Sequence, residues 1–219
     1  MKTLIVTGGA INKEVLIKNI ENNKFNNIIA IDRGLEILEE IEIMPTHIVG
    51  DFDSIKNIDM LNKYKNVLIQ KLNPEKDYTD TDTGMELAIN LNSKEVIIIG
   101  ATGTRLDHTI ANIQNMKKML NKEILCKIID YNNEIMLIDR TTKIEKNSEY
   151  TYISLLPLES KAEGITLKGF KYPLNNKTLE IGESIGISNE QMELIGTIEI
   201  KRGILLVIKS KDWKNACKR

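Results

Sequence analysis

The chain has 219 residues, of which 42% are hydrophobic and 28% charged, an ordinary globular composition with room for one large domain or two small ones. Its 30 Lys and Arg residues nearly balance its 31 Asp and Glu residues, so the formal net charge is −1. This balance argues against a general nucleic-acid or membrane-surface binder, because such proteins usually carry a basic excess. Binding of an anionic ligand would therefore need a few well-placed cations or a metal ion.

Cysteine and histidine are too scarce for a metal cluster built from those residues. Cys126 and Cys217 stand apart in the sequence, and neither has a His partner at ligand spacing, so no zinc site or disulfide framework is indicated. The N-terminal apolar stretch is too short for a signal peptide, and no run approaches the roughly 20 apolar residues of a transmembrane helix. We therefore expect a cytoplasmic protein with no membrane partner.

The first half of the sequence alternates predicted strands and helices. Short apolar runs rich in β-branched residues predict five buried strands, at residues 4–6, 28–31, 47–49, 67–69 and 96–99. Helical spacing of apolar residues predicts helices over 13–22, 82–92 and 107–120. This alternation predicts an α/β domain over residues 1–130, with an open, mainly parallel sheet flanked by helices.

The second half contains strand-like runs with no convincing helical stripe. These runs lie at residues 135–138, 150–156, 164–168, 194–200 and 204–208, and Lys201–Gly203 is predicted to form a hairpin turn between the last two. The pattern predicts a smaller antiparallel β domain over residues 131–219, a sandwich or a partial barrel.

Aspartates follow several of the predicted parallel strands, whose carboxyl ends meet at one sheet edge, where ligands bind in such folds. They are Asp32, Asp51, Asp53, Asp77, Asp80 and Asp107. Two carboxylates about 4 Å apart repel by roughly 4 kcal/mol at an effective dielectric of about 20, so a cluster needs neutralising. All-oxygen ligands favour Mg²⁺, with Mn²⁺ possible as a substitute. A helix-cap role is the alternative for a single aspartate, and it is the favoured one for Asp82.

The segment from Gly100 to Asp107 predicts a phosphate-binding loop. Gly100 and Gly103 lie between a strand and a helix, where backbone N–H groups and the helix N-terminus attract phosphate, and Arg105 adds a cation. With the aspartates, this loop predicts a Mg²⁺-bound polyphosphate, most simply a nucleotide. His108 either contacts a phosphate or acts as a base, or it simply occupies the first turn of the helix.

Three motifs in this order resemble the catalytic-domain motifs of the thiamine pyrophosphokinase family. They are Gly50-Asp51-Phe52-Asp53-Ser54-Ile55, Lys76-Asp77-Tyr78-Thr79-Asp80 and the segment Gly100 to His108. Asp32-Arg33-Gly34 is similar to a fourth element. In the second half, Gly186-Ile187-Ser188-Asn189 resembles the family's thiamine-side segment, so the resemblance covers nearly the whole chain.

The resemblance implies transfer of a pyrophosphoryl group from ATP to thiamine, giving thiamine diphosphate and AMP. It implies an α/β catalytic domain, a thiamine-binding β-sandwich and a homodimer with active sites between subunits. By this resemblance, Mg²⁺ is held by Asp51, Asp53 and Asp80, with support from Asp77. The ATP phosphates are oriented by Arg105 and Asp107, and thiamine is contacted by Ser188 and Asn189. The residues implied to lie around the nucleotide are Asp32, Gly100, Thr102, Gly103 and His108.

Two other functions remain as alternatives. A related diphosphokinase could act on another hydroxymethyl heterocycle such as a pterin, although Ser188-Asn189 favours thiamine. A nucleotide-sensing protein could keep the fold without turnover, but it would have less need of a full metal cluster.

Overall fold

The computed structural model describes residues 1–50, 64, 67–71 and 78–212. The chain divides into two compact units, Met1–Tyr131 and Asn132–Arg219. Within the described ranges, no helix combines the length and the apolar character that crossing a membrane requires.

In its described part, the first unit alternates strands and helices. They are β1 (Lys2–Val6), α1 (Lys13–Asn22), β2 (Asn27–Ile31), α2 (Gly34–Glu40), β3 (His47–Gly50), β4 (Leu68–Lys71), α3 (Asp80–Asn90), β5 (Glu95–Ile99), α4 (Leu106–Asn121) and β6 (Leu125–Ile129). All neighbouring strands pair in parallel, in the order β4-β3-β2-β1-β5-β6. The predicted open parallel sheet is therefore confirmed.

The core of this unit explains why its strands are continuous apolar runs. Leu4, Ile5 and Val6 of β1 are fully buried, because β1 lies inside the sheet and both of its faces are covered. The helices turn an apolar stripe inward: Leu16 is the fully buried residue of α1, and the Asn12 side chain caps that helix by accepting the Val15 N–H at 3.1 Å.

The strand order places a crevice beside β1. The chain leaves β1 toward β2, β3 and β4 on one side, and later returns to add β5 and β6 on the other. The loops after β1 and β5 therefore depart from adjacent strands at the same edge of the sheet. Such a reversal of strand order opens the crevice in which open α/β sheets bind ligands.

The second unit is a sandwich of two antiparallel sheets. Its strands are β7 (Asn133–Ile138), β8 (Thr142–Glu145), β9 (Tyr152–Pro157), β10 (Lys161–Lys168), β11 (Lys177–Glu180), β12 (Ile195–Glu199) and β13 (Leu205–Ser210). One sheet pairs β13 with β7 and β9, and the other has the order β11-β10-β12-β8. A single core takes residues from both sheets, among them Leu155, Leu167 and Val207. The predicted β-sandwich is confirmed.

The predicted hairpin at Lys201–Gly203 is wrong. β12 pairs with β8 and β10, whereas β13 pairs with β7 and β9, so the two strands belong to different sheets. Arg202 instead forms an isolated bridge with Glu163, and Gly203 has a positive φ of 97°. The segment carries the chain from one layer of the sandwich to the other, which is why two apolar runs lie so close in sequence without pairing.

Candidate active site

A cleft of about 690 Å³ lies in the first unit at the edge of the sheet described above. Four parts of the chain line it: the loop after β1, the start of the loop after β2, the first turn of α3, and the loop from β5 into α4. The lining residues are Thr7, Gly8, Gly9, Ala10, Asp32, Arg33, Thr79, Asp80, Thr81, Gly100, Ala101, Thr102, Gly103, Thr104, Arg105, His108, Thr109 and Asn112.

Two glycine-containing loops join at the floor of this cleft. The Gly9 N–H donates to the Gly100 carbonyl at 2.9 Å, and the Ala10 N–H donates to the Thr102 carbonyl at 2.8 Å. A Cβ at Gly9 would overlap these two carbonyl oxygens, and Gly100 has a positive φ of 85°. The close approach of the loops therefore depends on glycine at both positions.

Asp32 reaches the cleft from the end of β2 with an unusual backbone. Its φ is 47°, in the left-handed region that aspartate tolerates better than most residues, and its N–H donates to the Val49 carbonyl at 3.2 Å. A Cβ at Gly50 would overlap Asp32 Oδ1, so the glycine at the end of β3 makes room for the carboxylate. Gly50 thus has a steric role in the motif that also contains Asp51 and Asp53.

The first turn of α3 brings Asp80 into the cleft. The helix begins at Asp80, two residues earlier than predicted, because the Thr79 hydroxyl accepts the Asp82 N–H at 3.2 Å. The predicted cap role of Asp82 is therefore wrong: Thr79 is the cap, and Asp82 is a buried residue of the first turn. Thr81 anchors the turn to the sheet, since its hydroxyl lies 2.9 Å from that of Thr7.

Arg105 and Asp107 form a two-point ion pair at the mouth of the cleft. Arg105 Nη2 donates to Asp107 Oδ2 at 2.6 Å, and Nε donates to Oδ1 at 3.2 Å. Hydrogen bonds from Arg105 and from the His108 backbone hold the pKa of the Asp107 carboxyl below its usual range, while Asp107 raises the pKa of Arg105. Because the side chains are 68% and 65% exposed, the pair orients the guanidinium more than it stabilises the fold.

The other lining residues include some that sequence reasoning missed. Asn112 is buried and donates to the Ala101 carbonyl at 2.8 Å, which fixes the loop after β5 to the second turn of α4. Thr7 and Thr81 also went unrecognised. Both are buried and their hydroxyl groups contact each other, a tertiary contact that no local pattern indicates, because threonine is common at a helix start. His108 lies on the first turn of α4 and lines the cleft, a position that fits both a phosphate contact and a purely helical role.

Three of the predicted site residues, Asp51, Asp53 and Asp77, lie outside the described residues. Within the part of the chain that the structure describes, no group of three His, Cys, Asp or Glu side chains is arranged to hold a metal ion. The cleft does bring together Asp32, Asp80, Gly100, Thr102, Gly103, Arg105 and His108, and Asp107 joins them through Arg105.

Ser188 and Asn189 lie in the second unit and differ in their surroundings. The Asn189 amide is buried, donates to the Tyr172 carbonyl at 2.7 Å and accepts the Tyr172 N–H at 3.0 Å. Ser188 is exposed, with a φ of 56°, and its backbone N–H donates to the Ser154 hydroxyl at 3.0 Å. Asn189 therefore holds the neighbouring loop, whereas the Ser188 side chain faces solvent.

A parallel α/β unit with a glycine-lined cleft at one sheet edge, followed by a β-sandwich, defines a two-unit protein of the ligand-binding α/β class. Residues 19–128 match the family model described as "Thiamin pyrophosphokinase, catalytic domain", and residues 141–205 match "Thiamin pyrophosphokinase, vitamin B1 binding domain". The chain therefore belongs to the thiamin pyrophosphokinase family, and it is an enzyme with thiamine pyrophosphokinase activity.

Individual relatives agree with the family assignment. A thiamine pyrophosphokinase of Bacillus subtilis is 35% identical over 217 residues, which are 97% of this chain and all of that protein. Its crystal structure superposes with a TM-score of 0.87 over 97% of this chain and 100% of the other. A thiamin pyrophosphokinase structure from Geobacillus thermodenitrificans has 28% identity and a TM-score of 0.86, covering 98% of this chain and 99% of its own.

Proposed function

We propose that the chain transfers the pyrophosphoryl group of ATP to the hydroxyethyl oxygen of thiamine, with thiamine diphosphate and AMP as products. In this reaction the thiamine oxygen forms a bond to the β-phosphorus of ATP, the bond from that phosphorus to the oxygen bridging to the α-phosphate breaks, and the hydroxyl proton passes to a carboxylate. The observation that carries the proposal is the cleft in which two joined glycine loops meet Asp80 and Arg105.

ATP fits the loop from Gly100 to Arg105. This loop leads into the N-terminus of the 16-residue helix α4, where backbone N–H groups and the helix dipole favour a phosphate. Arg105 can grip phosphate oxygens with the same two-point geometry by which it now holds Asp107. The two-point contact with Asp107 holds the guanidinium in one orientation, so phosphate binding would require Arg105 to exchange Asp107 for the phosphate. Asp32, Thr102, Gly103 and His108 then lie around the nucleotide.

The donors around the cleft fit a magnesium ion. Asp80 and Asp32 both line it and offer only carboxylate oxygens, the ligands that Mg²⁺ prefers. Asp80 would hold the ion together with Asp51 and Asp53, supported by Asp77. When bound, Mg²⁺ would neutralise phosphate charge and polarise the transferred group.

Asp53→Asn tests the metal assignment. We expect this variant to lose turnover and to keep its fold, because one carboxylate of the proposed cluster is removed. Its melting temperature without metal should equal or exceed that of the wild type, since repulsion between carboxylates falls. Near-normal turnover at every Mg²⁺ concentration would show that Asp53 is not a ligand.

We assign thiamine to the sandwich unit, within residues 131–219, and the nucleotide and metal to residues 1–130. Ser188 offers an exposed hydroxyl for the thiamine, and Asn189 orders the segment through Tyr172.

The proposal includes a homodimer with active sites at the subunit interface. Sedimentation equilibrium should therefore give a mass near twice the chain mass of 24.9 kDa, and a mass near 24.9 kDa at working concentration would rule the dimer out.

Incubation with ATP, Mg²⁺ and thiamine, followed by nucleotide chromatography, tests the reaction directly. AMP should appear in step with thiamine diphosphate. Formation of ADP in its place would contradict pyrophosphoryl transfer. AMP formed with a hydroxymethylpterin and not with thiamine would identify the alternative diphosphokinase, and nucleotide binding without any product would identify the sensor.

A further inference from the structure

Lys118 of α4 lies behind the first turn of α3, at the centre of a group of three side chains. Its Nζ is 2.6 Å from Asp82 Oδ1 and 3.4 Å from Glu86 Oε1, and it lies 5.4 Å from the centroid of the Tyr78 ring. Lys118 is not among the residues that line the cleft. It therefore contacts the segment on either side of Asp80 from outside the cleft.

The Asp82 carboxylate depends on this lysine. Its side chain is only 7% exposed, so leaving the charge unpaired in that position would be costly. The short 2.6 Å contact joins a helix to the neighbouring helix, and the lysine is itself only partly exposed. An ion pair in such a setting holds geometry more firmly than one in open solvent.

Two of the four residues around Asp80 are anchored to other parts of the unit, and a third caps the turn itself. Thr79 caps the helix, Thr81 bonds to Thr7 of the loop after β1, and Asp82 bonds to Lys118 of α4. Tyr78 lies against the same lysine. The turn that bears Asp80 is thus fixed to the sheet on one side and to α4 on the other.

We infer that Lys118 and Asp82 form a positioning pair that sets the direction in which Asp80 enters the cleft. The two carboxylates of this helical turn therefore have different surroundings: Asp82 binds Lys118 of α4, while Asp80 lines the cleft. This inference rests on the proposed role of Asp80 in holding a divalent cation. Lys118 touches neither substrate nor metal, and it acts through the backbone of the first turn of α3.

Mn²⁺ binding to the substrate-free protein distinguishes positioning from simple electrostatics. Removing a nearby cation should by itself strengthen binding of a divalent cation, because a repulsion disappears. Loss of positioning should weaken it instead. We expect Lys118→Met to weaken Mn²⁺ binding by roughly tenfold, the usual loss when a group that orients a metal ligand is removed, and to lower kcat with little change in the KM for thiamine. Electron paramagnetic resonance of free Mn²⁺ measures the first quantity, and AMP release the second.

Two further variants complete the design. Lys118→Arg keeps the charge and the donor, and it should retain most of the wild-type Mn²⁺ affinity and kcat. Lys122→Met removes an exposed lysine at the end of the same helix that has no side-chain hydrogen bond or ion pair to α3 among the described residues, and it should behave as the wild type. If Lys118→Met destabilises the protein, the double variant Lys118→Met/Asp82→Asn removes both charges and should recover stability without recovering Mn²⁺ affinity.

The outcomes separate this inference from the proposed function. Failure of the wild type to release AMP would overturn the proposed function. A wild type that releases AMP, with Lys118→Met equal to Lys122→Met in both Mn²⁺ affinity and kcat, would overturn the positioning role alone. Stronger Mn²⁺ binding by Lys118→Met would also overturn it, because only the electrostatic effect would then be present.

Discussion

At the scale of single residues, the shape of the cleft depends on positions that carry no reactive group. Gly9 and Gly100 allow two loops to share hydrogen bonds, and Gly50 leaves room for the Asp32 carboxylate. Sequence reasoning identified Gly100 and Gly103 because a strand and a helix flank them. It could not identify the requirement at Gly9, since that requirement comes from the carbonyl oxygens of a loop about ninety residues away in the chain.

Gly9→Ala should separate the two loops. The added Cβ would overlap the carbonyl oxygens of Gly100 and Thr102, so we expect a loss of roughly 1–3 kcal/mol in the free energy of unfolding. We also expect at least a tenfold fall in kcat/KM for ATP, because the backbone N–H groups would no longer be aligned. Urea unfolding and initial-rate kinetics measure the two effects.

Gly8→Ala is the matched control for that substitution. Its Cβ would meet only Arg33, with the nearest atom at 3.4 Å, so the same loop gains a methyl group with little overlap. Equal losses in the two variants would mean that any alanine in the loop is harmful, and that the close approach at Gly9 has no special importance.

The Cys126 thiol should be inert in the folded protein. Burial on β6 raises its pKa to about 12, because desolvation disfavours the thiolate. In a Cys217→Ser variant, a thiol reagent at pH 8 should label no cysteine until the protein is unfolded. The unfolded thiol ionises at a lower pH than the folded one, so this group contributes stability that falls as pH rises through the interval up to about 12. Rapid labelling of the native variant would contradict this burial.

At the scale of helices and strands, local patterns predicted elements well and their partners less well. The helix predicted over residues 13–22 occurs at Lys13–Asn22, because its apolar stripe and the Asn12 cap agree. The seven-residue helix α2 went unpredicted, since it has no side-chain cap and is too short to show periodicity. Strands β6, β8 and β11 were also missed. The four-residue strands β8 and β11 each place just one buried residue in the core.

The wrong hairpin has a physical explanation. Proximity in sequence favours pairing of two strands joined by a short glycine turn, but register is decided by which faces become buried. β12 and β13 each supply residues to the same core from opposite sheets, with Ile198 on one side and Leu205 on the other. A local pattern cannot distinguish a turn within one sheet from a step between two sheets.

The cap of α3 gives a test at this scale. Thr79→Ala removes the hydroxyl that accepts the Asp82 N–H, so we expect a loss of about 1 kcal/mol in the free energy of unfolding. Because Asp80 follows directly, kcat should fall by more than this small loss of stability would suggest. Thr79→Ser keeps the hydroxyl and should restore both values. A serine variant as impaired as the alanine variant would show that the threonine methyl group, and not the cap, is important.

At the scale of the whole molecule, a nearly neutral charge balance must be compatible with binding a polyphosphate. The chain has 30 basic and 31 acidic residues, and two of the latter, Asp32 and Asp80, line the cleft. This composition predicts that bulk positive charge does not attract the ligand. It could not predict how the charges are distributed, because that distribution arises from strand order and from the loops beside β1.

The same balance predicts that ATP stabilises the protein mainly when a divalent cation accompanies it. Without the cation, the phosphates face Asp80 and Asp32. Arg33 and Arg105 supply the fixed positive charges of the described lining, and Arg105 is already paired with Asp107. With Mg²⁺, a ligand at 100 times its Kd stabilises the folded state by about 2.7 kcal/mol, which corresponds to a rise of several degrees in Tm. Differential scanning fluorimetry with ATP alone, Mg²⁺ alone and both together measures this dependence, with Asp80→Asn as the comparison. Equal shifts with and without Mg²⁺ in the wild type would show that the chain's own cations suffice to bind the polyphosphate. With ATP alone, we expect a larger rise in Tm for Asp80→Asn than for the wild type. The substitution removes the repulsion between the Asp80 carboxylate and the phosphates, which Mg²⁺ offsets in the wild type.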